Sequence, residues 1–277
     1  MIGWILFLAA IGLFCLQMGY LLVHERYQVE YIDNRLFYLI NILFIVFIYL
    51  ALLLLLRLSR KFLAIGIGIA GIFIILQAVL LTTSNQEVKN YISISPDLKH
   101  VFSIKKNVTS GEAFYYRSYY GILARPKEKL SHSINGEYNV EWLARDVAAF
   151  TYQGADGTIQ QFIGTYGDRS GGLSYYYVGP EIHGVWQGGN ITVVSSPDGI
   201  TVTANNEEEL FEWDNIQQFG TLAIVLRANN EAVWTIALNE NYVVDSDSSK
   251  AKEGNISIYK ANIEKERPLI LDYQYSN

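Results

Sequence analysis

Residues 62–82 read FLAIGIGIAGIFIILQAVLLT, twenty-one positions with neither a formal charge nor a proline. Wound as an α-helix at 1.5 Å per residue, such a run covers the roughly 30 Å hydrocarbon core of a bilayer. Two more uncharged runs precede it, residues 2–23 and 36–56, of 22 and 21 positions. Three in succession, separated by short polar loops, predict three transmembrane helices. The first run could belong to a cleaved signal peptide. Its start, Met1-Ile2-Gly3-Trp4, lacks a basic segment, and the run is about twice the usual apolar length, so it is read as retained.

The rest of the chain has another texture. Of 21 Lys and Arg and 27 Asp and Glu in 277 residues, only five basic and three acidic ones fall within residues 1–82. Residues 83–277 hold the other 16 and 24, a net charge of −8. A single soluble globule does not distribute its charges so. Arg57, Arg60 and Lys61 make the second loop purely basic, whereas the loop over 24–35 mixes Arg26 and Arg35 with Glu25, Glu30 and Asp33. The positive-inside rule then puts the N-terminus in the cytoplasm and the tail outside. The expected organisation is a transmembrane domain over 1–82, a linker over 83–90 and an extracytoplasmic domain over 91–277.

Within the apolar runs, Asn41 and Gln77 suit an interhelical hydrogen bond, and no ionisable group marks a transport path. Gly66, Gly68 and Gly71 match a dinucleotide-binding glycine pattern, but that motif needs a strand before it and a helix opening into water. The better reading is helix packing. Ala64 with Gly68, and Gly66 with Ala70, form two small-xxx-small pairs against which another helix can approach closely. A neighbouring helix of the chain or a membrane-protein partner would fill that role.

Beyond residue 83 the apolar residues come in short β-branched and aromatic runs, such as 147–152, 221–226, 232–238 and 256–259. Asp156-Gly157, Asp198-Gly199 and Asn229-Asn230 punctuate them as turns. Helical periodicity is scarce, and residues 207–216 carry no clear assignment. The class is all-β. Trp142, Asp146-Val147 and Asp156-Gly157 are echoed by Trp186, Asn190-Ile191 and Asp198-Gly199. That interval looks like the blades of a β-propeller, and a two-sheet sandwich of hairpins fits it equally. Cys15 is the lone cysteine and lies in the first apolar run, so the tail has no disulfide. This usage favours a bacterial plasma membrane.

Chemistry is sparse. Gly167-Asp168-Arg169-Ser170-Gly171-Gly172 resembles the nucleophile loop of chymotrypsin-like proteases with an arginine inserted. That insertion would misplace the oxyanion-hole amides. His100 and His132 lack that family's sequence context. Asp245-Ser246-Asp247 opens like a calcium loop, but Lys250 and Ile256 stand where its glycine and glutamate belong. Scattered histidines make a poor zinc site. Glu207, Glu208 and Glu209, with Glu212 and Asp214, read as a solvated charged face. The acidic tail speaks against nucleic acid. No catalytic, metal or cofactor-binding residue is therefore expected, and no cofactor.

The tail is rich in aromatics, with Tyr115, Tyr119, Tyr175, Tyr176 and Tyr177 as candidates for a binding face. The expectation is a non-enzymatic membrane protein. Its exported β domain would bind a partner or envelope ligand, as an accessory or sensing subunit of an envelope complex. The alternative is an envelope hydrolase or transferase acting on wall polymers.

Overall fold

The computed structural model describes residues 1–57, 59–169, 175–244 and 252–275. The three apolar runs form helices α1 (Ile2–Tyr27), α2 (Arg35–Leu55) and α3 (Arg60–Glu87), each long and apolar enough to cross a membrane. α2 packs against both of the others. α3 reaches further than its apolar run. Thr82 and Thr83 donate to the carbonyls of Ala78 and Val79, at 2.9 and 3.2 Å, so these polar residues stay helical. The helix then passes directly into a strand at Val88. Residues 83–90, expected as a linker, are thus the end of α3 and the start of β2.

A five-stranded sheet contains β1 (Glu30–Tyr31), β2 (Val88–Ile94), β3 (Val101–Asn107), β4 (Ala113–Tyr119) and β5 (Leu123–Lys129), in the order β1-β5-β4-β3-β2. β1 lies in the short connection between α1 and α2, and pairs Glu30 with Ala124 and Tyr31 with Leu123. The chain divides into two compact units, Met1–Ile92 with Ser103–Lys129, and Ser93–Phe102 with Leu130–Asn277. The boundary expected near residue 83 therefore falls elsewhere: the helices and most of this sheet belong together.

The second unit is built from curled antiparallel sheets. β6 (Ile134–Ala144), β7 (Val147–Gly154) and β8 (Ile159–Thr165) form a three-stranded one. A short helix α4 (Val178–Glu181) precedes β9 (Gly184–Gly188), β10 (Ile191–Ser196), β11 (Gly199–Ala204) and β12 (Glu207–Phe211). A 3-10 turn at Trp213–Asn215 leads on to β13 (Ile216–Phe219), β14 (Ala223–Ala228), β15 (Glu231–Leu238), β16 (Asn255–Lys260) and β17 (Leu269–Gln274). Their order is β12-β11-β10-β9-β17-β16-β15-β14-β13, so the strands follow one another in sequence and the last, β17, pairs with the first, β9.

All eight pairings are antiparallel, which makes β12 and β13 run the same way. They behave as one stave broken by the 3-10 turn, and the seam between them leaves a near-barrel rather than a closed one. Trp186, Val193, Ile200, Phe211, Ile236, Ile258 and Leu271 fill its interior. Val178 and Ile182, at either end of the α4 segment, are fully buried in the same core, and Trp186 Nε1 donates to the Ile182 carbonyl at 2.7 Å. Asn205-Asn206 and Asn229-Asn230 turn their hairpins with positive φ, which asparagine tolerates better than bulkier residues. The three-stranded sheet lies on the outer face of β13–β16, where Gln161 bonds both Thr151 and Thr235, and Asn139 donates to Tyr259. Trp142 sits in β6 and Trp186 in β9, so the echoed tryptophans belong to different sheets.

Candidate functional site

β3 alternates Phe102 and Ile104 with Ser103 and Lys105, and all four side chains are buried. A lysine in such a place needs partners for its three N–H protons. The α1–α2 connection supplies them. Lys105 Nζ donates to Glu30 Oε2 at 2.6 Å, to the Tyr31 carbonyl at 2.7 Å and to Asn34 Oδ1 at 2.6 Å. The ammonium also lies 4.4 Å from the centre of the Tyr116 ring. Its side chain is only 4% exposed, so this is a buried ion pair with its hydrogen bonds completed. Burial pushes the Lys105 ammonium below the ordinary lysine range, and Glu30 partly restores it. The same burial pushes the Tyr31 phenol up to about 12 and the Tyr116 phenol higher still.

Further bonds stitch the connection to the sheet. Ser103 Oγ donates to the Ile32 carbonyl at 3.1 Å, and the Ile32 amide to that of Ile122 at 2.9 Å. Beside these contacts lies a cavity of about 560 Å3. Tyr20, His24, Phe37 and Tyr38 reach it from the ends of α1 and α2, and Asn107, Glu112, Phe114 and Tyr116 from the sheet. Tyr20 stacks on Tyr31 at 4.1 Å and on His24 at 5.4 Å. Glu112 is paired with Lys129. The carboxylates at the cavity are thus paired, Glu30 with Lys105 and Glu112 with Lys129, and it offers aromatic faces and hydrogen-bonding groups. That composition suits binding better than proton transfer.

The cavity continues into the helices as a hydrogen-bonded chain. Tyr31 OH donates to Gln17 Oε1 at 2.9 Å, and Gln17 Nε2 to Asn41 Oδ1 at 2.8 Å. Asn41 Nδ2 in turn donates to Gln77 Oε1 at 3.2 Å. The bond expected of Asn41 and Gln77 is therefore one link among three helices. No family model, curated protein or solved structure matches this chain. What the site does must be argued from its geometry.

The residues singled out in the sequence lie elsewhere. Gly66 faces Tyr49 of α2, whose ring leaves no room for a Cβ, whereas nothing approaches Gly68 within 4 Å. Ala64 is exposed and Ala70 half-buried. The two small-residue pairs thus point to different sides of α3. Tyr115 is buried, while Tyr119 is 44% exposed, so of these two candidates only Tyr119 presents a surface. Tyr175 and Tyr177 are exposed and touch edge to face, and Tyr176 turns inward to the near-barrel core.

Arg169 explains the protease-like motif. Its guanidinium grips both oxygens of Asp146, at 2.6 and 2.8 Å, and the Asn239 carbonyl at 2.7 Å. It anchors a loop. Ser170, Gly171 and Gly172 lie outside the described residues, as does the calcium-like stretch 245–249. Among the described residues no three His, Cys, Asp or Glu side chains converge as metal ligands.

Lys105 was missed because lysine in a strand ordinarily marks a solvated face. The available signal was alternation: Ser103 and Lys105 share a face that only a distant segment could cover.

Proposed function

We propose that this is a multi-pass protein of a bacterial plasma membrane, with a cytoplasmic N-terminus and its β region outside. Its exported region binds a ligand or partner without catalysing a reaction, as a sensing or accessory subunit of an envelope complex. One observation carries this reading. The connection between α1 and α2 is itself a strand of the exported sheet, locked to it by Lys105, and it borders the aromatic cavity. A ligand that displaces Tyr31 or Tyr116 would therefore act directly on the helices through the Tyr31–Gln17–Asn41–Gln77 chain. Two discrete arrangements of that chain would give the bistable element that sensing requires.

Of the two architectures expected for the β region, the sandwich has the better support, since the three-stranded sheet packs on one side of the near-barrel.

The open side of α3 around Ala64 and Gly68 is where a membrane-protein partner would pack. Purification of the full chain from its native membrane in mild detergent tests the proposal. A stoichiometric membrane partner is expected with the wild type and should be lost with Gly68→Leu, while the helices melt unchanged. A monomer without any partner would overturn the subunit reading.

A further inference from the structure

The two ends of the near-barrel differ. The α4 segment packs into the core at one end, where the Tyr242 hydroxyl donates to the Glu181 carbonyl at 3.1 Å and Lys252 pairs with Glu181 at 2.8 Å. The other end opens into a cavity of about 750 Å3. Strand register decides which side chains face into it. Ala204 pairs with Glu207 and Val202 with Glu209, and Val202 belongs to the interior, so Glu207 and Glu209 point inward and Glu208 outward. Trp234 pairs with Lys260, and Trp234 packs on the interior core, so Lys260 also points inward. Arg267 joins it from the β16–β17 connection.

One wall therefore presents the carboxylates of Glu207 and Glu209, with Glu208 at its rim, and the wall across the mouth presents Lys260 and Arg267, with Glu266 beside them. Trp234, Ile258, Val202 and Leu269 line the space between them. Among the described residues, no ion pair joins Glu207 or Glu209 to Lys260 or Arg267. Opposite charges on facing walls over an apolar floor complement a ligand that carries both charges at its ends. Mouths of β-barrels are a common place for such sites.

We propose that this mouth binds a short zwitterionic peptide. The free ammonium lies against Glu207 and Glu209, the carboxylate against Lys260 and Arg267, and the apolar body on Trp234. A tripeptide spans roughly 10 Å when extended, a size in keeping with a cavity of about 750 Å3. The solvated acidic face expected from the sequence is in this view one wall of a two-signed site. None of it depends on the cavity at the helix ends or on a membrane partner.

The test is calorimetric titration of the full-length protein in detergent with trileucine. Three forms are compared: both termini free, N-acetylated, and C-amidated. The free form should bind, and either cap should weaken it at least tenfold. The double change Glu207→Gln with Glu209→Gln should bring the free peptide to the level of the acetylated one and leave the acetylated one unaffected. Lys260→Met should mimic amidation. Equal binding of capped and free peptides, or no binding of the free peptide, overturns the proposal. Retention of the membrane partner by the glutamine variants would separate that failure from any failure of the subunit reading.

Discussion

An ammonium in the interior is stable only while every proton has an acceptor, and at Lys105 all three acceptors come from the loop over residues 30–34. Lys105→Met keeps the volume but strands the Glu30 carboxylate and Asn34 without their donor. Breaking one side of a buried pair costs about 3–5 kcal/mol, and the lower end applies because Glu30 is one-third exposed. Adding Glu30→Met removes the orphaned charge, so the double variant should be more stable than Lys105→Met alone. Denaturant unfolding of both variants checks this, and a double variant weaker than either single one would contradict the pairing. The residue was illegible in the sequence because its partners lie 71 to 75 positions away. Arg169 was equally hidden: its motif suggested a nucleophile, but its role comes from Asp146, 23 positions upstream.

At the scale of elements, the apolar runs gave the helices directly, since length and the lack of charge suffice to define them. What spacing could not give was which side of α3 meets α2. Both small-residue pairs recur at four-residue intervals, yet of their two glycines only Gly66 is covered, by Tyr49, whose hydroxyl donates to the Leu63 carbonyl at 3.3 Å. Gly66→Leu forces Tyr49 aside and should destabilise the helices by about 1–3 kcal/mol, the usual range for overpacking. Gly68→Leu has open space and should leave the melt unchanged. Circular dichroism of the two variants in detergent distinguishes them, and equal losses would show that the faces are assigned wrongly. β12 escaped assignment for a different reason. Its inward positions Glu207 and Glu209 are polar at the open mouth, so the apolar alternation that marks a strand appears only at Phe211.

For the whole molecule, the charge contrast between residues 1–82 and 83–277 correctly separated apolar helices from a β region, but it did not mark the structural boundary. The boundary is not a point in the sequence, because β1 comes from between two helices and β2 and β3 each pass through both units. A chain starting at Asn85 would read from sequence as a self-sufficient domain with one cooperative melt. The structure leads to another expectation. Such a fragment lacks Glu30, Tyr31 and Asn34, so Lys105 loses all three acceptors together with the segment that covers it, and β5 loses its neighbour β1. The near-barrel and the three-stranded sheet keep their own pairings and core. Hydrogen exchange on the 85–277 fragment should therefore show protection lost across 103–129 and retained across 184–238, where the full-length chain protects both. Because the fragment has no cysteine, reductant should change neither pattern. Protection of 103–129 equal to that in the full-length chain would mean that the sheet stands without the helix connection. The mechanical link on which the sensing reading rests would then be dispensable.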